Sequence, residues 1–476
     1  MDYILKGHNF EDEVLSMLQL FFQNRVYSRK ENLSDCTSEI IIVSEIDNDD
    51  CTAYIYKGNE VISEYSVKVV DDDIKSIKRY IKTSLYYCFK QVNDVKMSWG
   101  ILTGIRPSKR IFSMWNDGFS DDEIKRVLSK DYLVSDSKIK LAFDVAYAEK
   151  EIMEKNDVNS IGIYIGIPFC PTRCLYCSFT SYSLEQYKNK VDLYLKALVK
   201  EFQYAEGYAK KYNIESIYIG GGTPTSLNEE QLEFLLSNVK KYFKKPIEFT
   251  VEAGRPDTIT RDKLKILKKY DVDRISVNPQ TMNQKTLELI GRKHTVDDFI
   301  NVFKMAREEG HNNINTDLIL GLPDEGKAEV YNTFEKIFEL NPESVTVHTL
   351  AIKRASRLKE TLDLYEMPDV ERMEEYLQIS SDFAQNNGMH PYYMYRQKNM
   401  VGNFENVGYC KKGKECIYNI KIMEEKQTIL ALGAGGSTKI YDPETDRLDR
   451  IFNVKSVDDY INRIDEMIER KKGGLK

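Results

Sequence analysis

From residue 160 onward, short apolar runs alternate with longer segments whose apolar positions recur every third or fourth residue. The first pattern is that of strands buried on both faces, the second that of helices covering them. Strands are expected at 161–167, 216–219, 247–252, 273–277, 313–320 and 344–350, with helices between them at 186–211, 229–242, 261–270, 296–310 and 328–340. Successive strand–helix units imply a parallel sheet with right-handed crossovers. Six units fall short of the eight that close a barrel. The expected architecture is therefore α/β, an open partial (β/α)6 barrel whose active site lies at the C-terminal ends of its strands.

Outside this repeat the pattern changes. Residues 1–155 read as a small α+β domain: a helix over 11–22, strands near 39–46, 51–57 and 61–69, and a helix over 71–92 that starts in acidic residues. A Gly- and Pro-containing loop then carries Arg106, Lys109 and Arg110 into a helix. It reads either as a solvated helix start or as an anion site. Cys36, Cys51 and Cys88 have no ligand spacing and read as core residues. Helices over 120–128 and 137–155 lead into the repeat, so the expected domains are 1–155, 156–360 and a C-terminal α+β lid, 361–476. The lid region opens with an amphipathic helix over 369–387 and ends in a charged one over 457–470. Between them, Tyr392, Tyr393 and Tyr395 alternate with Arg396 and Lys398, a composition suited either to a flat, carboxylate-bearing ligand or to a plain surface hairpin. Cys410 and Cys416 are two ligands, too few for a second metal.

A net charge of −7 and a pI of about 5.6 argue against a general affinity for nucleic-acid backbone. Eight cysteines in 476 residues are not a disulfide scaffold. The N-terminus lacks the charged and apolar regions of a signal peptide, and no apolar run approaches a membrane span. The chain reads as cytoplasmic.

Three of the cysteines carry the chemistry. Cys170, Cys174 and Cys177 stand in C-x3-C-x2-C spacing just after the first repeat strand and Pro168. Four thiolates complete a four-iron cluster. Three on one loop would leave one iron open, as a metal centre needs to bind a substrate. The alternatives are a loop of free or buried thiols, or a zinc site. Zinc would want a fourth ligand, and no further Cys or His follows within the next hundred residues. Other motifs also fall where strands end. Gly220-Gly221-Gly222-Thr223-Pro224 offers close backbone approach and free N–H groups. Asp317 sits within an apolar strand, where a carboxylate is costly unless paired or used.

The cysteine spacing resembles that of the radical S-adenosylmethionine (SAM) enzymes. Tyr164-x-x-Ile-Pro-Phe-Cys170, Gly220-Gly-Gly-Thr-Pro224 and Asp317-Leu-Ile-Leu-Gly-Leu-Pro323 are similar to the group around oxygen-independent coproporphyrinogen III oxidase. The long N-terminal extension resembles its coproporphyrinogen dehydrogenase branch. The resemblance covers residues 160–355 well and implies a radical SAM barrel. It implies that Cys170, Cys174 and Cys177 hold a [4Fe–4S] cluster and that SAM chelates the fourth iron. Gly221, Gly222 and Thr223 would lie against the methionine part, Gln280 and Asp317 would hold the ribose hydroxyls, and Arg292 would pair with the methionine carboxylate. Glu252 would join the same polar network, Ala351 would abut the adenine, and Tyr164 would stand near cluster and substrate. The glycine segment Leu432–Ser437 would pack close to the ligand. An electron from a donor such as flavodoxin or ferredoxin would release a 5′-deoxyadenosyl radical. That radical would take a hydrogen from a propionate of coproporphyrinogen III, and loss of CO2 and one electron would leave a vinyl group. No final electron acceptor is evident.

The sequence departs from this pattern at Phe179, where the porphyrinogen-oxidising members carry a further Cys; haem-trafficking relatives share Cys-x-Phe. The His-Asn-x-x-Tyr-Trp motif of the haem chaperones is absent. The alternatives are a haem chaperone and, more remotely, an RNA-modifying radical enzyme. His294, His311 and His348 read as structural.

Overall fold

The apolar runs after residue 160 become a single large sheet, and a separate five-stranded sheet precedes it. The computed structural model describes residues 1–22, 25–104, 106–155, 157–177, 181–352, 356–396 and 403–475. Two units result: Met1–Phe143 with Asp369–Glu374 and Arg396–Glu405, and Asp144–Pro368 with Glu375–Tyr395 and Asn406–Lys476.

In the first unit, strands β1 (Asp2–Lys6), β2 (Ser28–Lys30), β3 (Ile40–Asp47), β4 (Asp50–Lys57) and β5 (Glu60–Lys68) lie in the order β2-β1-β3-β4-β5. The β3–β4 and β4–β5 pairs are antiparallel hairpins, whereas β1 runs parallel to both its neighbours. Helices Glu11–Phe21 and Ile74–Lys90 bury Val14, Leu18, Ile81, Leu85 and Phe89 in one cluster with Ile42 and Ile55 of the sheet. Asp73 starts the second helix by accepting from the N–H groups of Lys75 and Ser76. Cys51 and Cys88 are fully buried in this core, and Cys36 is half-buried. Of the three basic residues in the Gly/Pro loop, Arg106 precedes helix Pro107–Asn116, Lys109 is exposed, and the Arg110 guanidinium lies over the Tyr132 ring at 5.3 Å.

The second unit carries β6 (Ser160–Ile167), β7 (Phe169–Cys170), β8 (Tyr182–Ser183), β9 (Asn213–Gly221), β10 (Glu248–Gly254), β11 (Arg274–Val277), β12 (Ile314–Leu320) and β13 (Ser344–Thr349). Strands β6, β9, β10, β11, β12 and β13 neighbour one another in that order, all parallel. This is the expected partial (β/α)6 barrel. Helices cover it between strands, each with its apolar side inward; Glu229–Tyr242 and Val296–Glu308 open on the capping boxes Asn228/Gln231 and Thr295/Asp298. The expected helix over 186–211 is broken: a 3-10 turn, Lys188–Lys190, separates Leu184–Tyr187 from Val191–Ala209, because the run Lys-Asn-Lys offers no apolar anchor.

The C-terminal residues extend this sheet. Strands β14 (His390–Arg396), β15 (Glu405–Cys410), β16 (Thr428–Leu432), β17 (Ser437–Asp442) and β18 (Arg447–Phe452) complete eleven, with β15 antiparallel to β13 on one side and β16 parallel to β6 on the other. The glycine segment after β16 is fixed by a buried charge. Glu201, fully buried, accepts from Gly433 N at 2.8 Å, Tyr460 Oη at 2.5 Å, Asn453 Nδ2 at 2.8 Å and the buried Lys471 Nζ at 2.6 Å. Tyr194 donates to Gly166 O at 2.6 Å and accepts from Ala434 N at 3.0 Å, tying this segment to the end of β6.

Two expectations for the C-terminal region are overturned. Tyr392 and Tyr393 do not face outward as ring contacts. They are buried with Cys410, Cys416 and Tyr418, because their strand lies inside the sheet's apolar cluster. Arg396 is equally buried, its Nε and Nη2 donating to the carbonyls of Leu102 and Gly104 and its guanidinium 4.9 Å over the Trp99 ring, with Nη1 alone unpartnered, so it is not an outward-facing cation of a lid. Lys398, named with them, lies outside the described residues, as does Phe179.

Candidate active site

Strand β6 ends at Ile167, and Pro168 turns the chain into the cysteine loop. Phe169–Cys170 pairs in parallel with Tyr182–Ser183, closing the loop at its base. The helix expected from residue 186 begins at Leu184, directly after this strand. Cys174 is buried, Cys170 and Cys177 half-buried, and none is in a disulfide. Burial raises the Cys170 thiol above its ordinary range, a hydrogen bond with Thr223 Oγ1 at 3.5 Å pulls it down, and the thiols of Cys177 and Cys174 push it up. The three sulfurs therefore share one electrostatic neighbourhood. The loop is braced from the sheet: Leu175 N donates to Ile290 O at 3.0 Å, and the buried Arg255, paired with Asp257 at 2.7 Å, donates to Thr172 Oγ1 at 2.7 Å and Thr172 O at 3.2 Å.

The triple glycine lies against this loop. Gly222 N donates to Ile167 O at 2.8 Å and Thr223 N to Phe169 O at 2.7 Å. The expectation of ligand-binding N–H groups is thus corrected for these two, since both already close the turn. Close approach is required instead. A Cβ on Gly222 would stand 2.5 Å from Phe169 O, and Gly221 has φ +110°.

Glu252, Gln280, Arg292 and Asp317 converge on the same end of the sheet. Burial pushes the Glu252 carboxyl up to about 7, opposed by the hydrogen bond it accepts from Tyr218 Oη at 2.5 Å and aided by the Asp317 charge. Asp317 accepts from Asn278 Nδ2 at 2.9 Å and Asn315 Nδ2 at 2.7 Å, with His348 Nε2 at 3.8 Å. Gln280 takes φ +74°, and its backbone is clamped there by bonds to Asp317 O and from Ile319 N. A non-glycine residue held in the left-handed region is strained, and such positions cluster at functional sites. Arg292 is buried; it donates to Asn278 O at 2.9 Å and Tyr176 Oη at 3.2 Å, and its Nε has no partner. Burial opposes its charge, yet the Tyr176 phenol and Cys174 thiol raise its pKa overall. Ala351 is half-buried immediately beyond β13. Tyr164, on β6, stacks beside Tyr218 and Tyr418 at 6.4 and 6.2 Å, and burial raises its phenol.

Several partners were not anticipated. Asn278, Arg255, Tyr176 and Tyr218 hold the expected residues in place. Asn278 and Arg255 do stand just past strand ends, and Tyr176 stands between two of the cysteines. His294, with both ring nitrogens unpartnered, is kept neutral by burial and by Arg292 beside it, which lower it to about 4.

A family model for the radical SAM superfamily matches residues 164–337. An oxygen-independent coproporphyrinogen-III oxidase-like protein, HemZ of Bacillus subtilis, is 39% identical over 425 residues, covering 86% of this chain and 84% of that protein. The chain belongs to the radical SAM superfamily and its oxygen-independent coproporphyrinogen III oxidase-like family. The cofactors of this superfamily are a [4Fe–4S] cluster and SAM. The heme chaperone HemW of B. subtilis is 33% identical over 308 residues, 64% of this chain and 76% of its own. Among solved structures, the coproporphyrinogen III oxidase HemN of Escherichia coli matches with a TM-score of 0.52 at 22% identity, over 68% of this chain and 73% of that one. It shares the fold. No helix among the described residues is long and apolar enough to cross a membrane.

The residues present fit both cofactors. Three thiols share one loop, and a buried guanidinium beside them has an orphaned N–H. The first suits an iron cluster and the second an anionic group.

Proposed function

We propose that this chain catalyses oxygen-independent oxidative decarboxylation of coproporphyrinogen III to protoporphyrinogen IX, working in the cytoplasm with an electron donor such as flavodoxin or ferredoxin. The observation that carries this reading is the likeness to the HemZ protein, which spans most of both chains. When bound, the cluster and SAM supply a 5′-deoxyadenosyl radical able to take a hydrogen atom from a propionate arm. Cys170, Cys174 and Cys177 would hold three irons. Arg292 would meet the methionine carboxylate with its orphaned Nε, a charge-assisted bond made stronger by burial. Asp317 and Gln280 would take the ribose hydroxyls, Gly221, Gly222 and Thr223 would flank the methionine chain, and Ala351 would border the adenine. Glu252, poised near neutrality, would accept or hold a proton in that network. Tyr164 would stand beside the reacting groups and help exclude water.

A second reading is a haem-binding protein without this turnover. It is favoured by the likeness to the HemW chaperones and by Phe179 in the Cys-x-Phe pattern. One anaerobic experiment separates the two. The reconstituted protein receives SAM, a reductant and coproporphyrinogen III, and 5′-deoxyadenosine and product mass are followed. Substrate-dependent cleavage with loss of two carboxyl groups supports the oxidase. Stoichiometric haem binding with unchanged porphyrinogen overturns it.

A further inference from the structure

At the opposite end of the sheet lies a group of side chains that the site above does not use. Cys410 ends β15, and because β15 runs antiparallel to β13 it pairs with Ser344, the first residue of that strand. It therefore sits at the N-terminal end of the parallel strands, away from the cysteine loop. His390 begins β14, the neighbouring strand, and Glu415 lies in the turn that follows Cys410. The ligand atoms of His390, Cys410 and Glu415 all lie within 4.8 Å of one another. A single nitrogen, His390 Nε2, faces both others: 3.0 Å from Glu415 Oε1 and 3.9 Å from Cys410 Sγ.

We propose that His390, Cys410 and Glu415 form a second, structural metal site for a borderline divalent ion, zinc above all, with water as fourth ligand. Tetrahedral zinc with Zn–N and Zn–O near 2.0–2.1 Å and Zn–S near 2.3 Å sets its N···O and N···S edges at about 3.4 and about 3.6 Å. The two separations from His390 Nε2 bracket these values, and the Cys410 Sγ and Glu415 carboxylate atoms, within 4.8 Å of one another, close toward about 3.6 Å as the ion seats. The donor set, one thiolate, one imidazole and one carboxylate, is one zinc takes. Thiolate and carboxylate together supply two negative charges to balance the ion.

The turn is already shaped for it. Gly413 N donates to Glu415 Oε1 at 3.2 Å, and Arg274 donates to the carbonyls of Lys414 and Glu415 at 2.7 and 3.0 Å. Such contacts behind a ligating side chain hold it in place. His390 is 39% exposed at its side chain, which gives the ion an entrance, while Cys410 is fully buried. Cys416, the other cysteine of the C-x5-C pair, turns away and donates instead to Glu248 Oε1 at 3.3 Å. An ion here would clip the start of β14 to the end of β15 at the rim where a barrel serves stability rather than catalysis.

The test uses the full chain with its iron–sulfur cluster in place, dialysed anaerobically against zinc held by a weak chelator. Zinc and iron per chain are then measured by mass spectrometry and the melting temperature by calorimetry. Wild type is expected to retain about one zinc beyond its iron and to melt higher with it, since an ion bound only to the folded state stabilises that state. His390→Ala, at an exposed side chain, is expected to keep its iron and lose the zinc and the shift. Glu415→Gln, as the second variant, is expected to weaken retention at least tenfold. Wild type without zinc, or His390→Ala retaining as much as wild type, overturns the site.

Discussion

Gly222→Ala isolates what the triple glycine does. The added Cβ would stand 2.5 Å from Phe169 O, 2.9 Å from Phe169 N and 3.0 Å from Ile167 O, all backbone atoms. Ordinary contact begins at 3.4 Å, so one strand must retreat by 3.4 − 2.5 = 0.9 Å. The atoms pushed are those that accept from Gly222 N and Thr223 N, and Cys170 is the next residue along. Overpacking of this kind costs about 1–3 kcal/mol. A displacement of about 1 Å at a catalytic group can cost about a hundredfold in rate. The expected outcome is an apoprotein melting a few degrees lower, with iron loading reduced and SAM cleavage down about a hundredfold. Gly207→Ala is the control: in helix Val191–Ala209, its Cβ meets nothing within 4 Å. There alanine should stabilise by about 0.5–1 kcal/mol through backbone entropy and helix propensity alone. Wild-type iron content and SAM cleavage in Gly222→Ala would refute the close-approach argument.

Arg292→Gln should keep full iron content while the SAM dissociation constant rises about ten- to a hundredfold, about 1.4–2.8 kcal/mol, by equilibrium binding; unchanged affinity removes Arg292 from the SAM site. The folded Glu252 carboxyl keeps its proton up to about 7, whereas an unfolded one releases it near pH 4.3, so apoprotein stability should fall as pH rises through that window, by at most about 4 kcal/mol. Glu252→Gln should flatten that slope in melting scans, and an unchanged slope would assign it to another group. Lys471→Met removes the cation paired with the buried Glu201 and should cost about 3–5 kcal/mol in denaturant unfolding; a wild-type midpoint would show that the pair contributes nothing to stability.

The six parallel strands were legible because each is a short run rich in apolar and β-branched residues, with a helical period between, even where polar residues such as Asn315, Asp317 and His348 interrupt it. The two parallel partners at the N-terminus were not: Ser28–Lys30 contains no apolar residue, and β1 borrows its burial from β3. The cysteine loop was legible from its spacing and Asp317 from a carboxylate inside a strand, whereas Glu252, Gln280 and Arg292 were named only through the family resemblance. Their supports were not legible, since Arg255 reaches Thr172 across 83 positions and Arg292 reaches Tyr176 across 116. The tyrosines at 392 and 393 misled for a related reason. Aromatic residues on a strand look alike whether they meet a ligand or a neighbouring strand, and only the tertiary pairing decides. The backbone N–H groups of Gly222 and Thr223 misled because the turn that presents them also uses them.

The depth of the polar layer constrains how any substrate reaches it. Tyr218 and Asp317 each stand three residues before the last residue of their strand, and Glu252 two, which at about 3.3 Å per residue places them roughly 7–10 Å inside the strand ends. Beside them the rings of Tyr164, Tyr218 and Tyr418 are stacked, Tyr218 and Tyr418 only 4.4 Å apart, and they merge with the cluster that holds Tyr392 and Tyr393. That filling leaves the strand ends, next to the cysteine loop, as the route of approach.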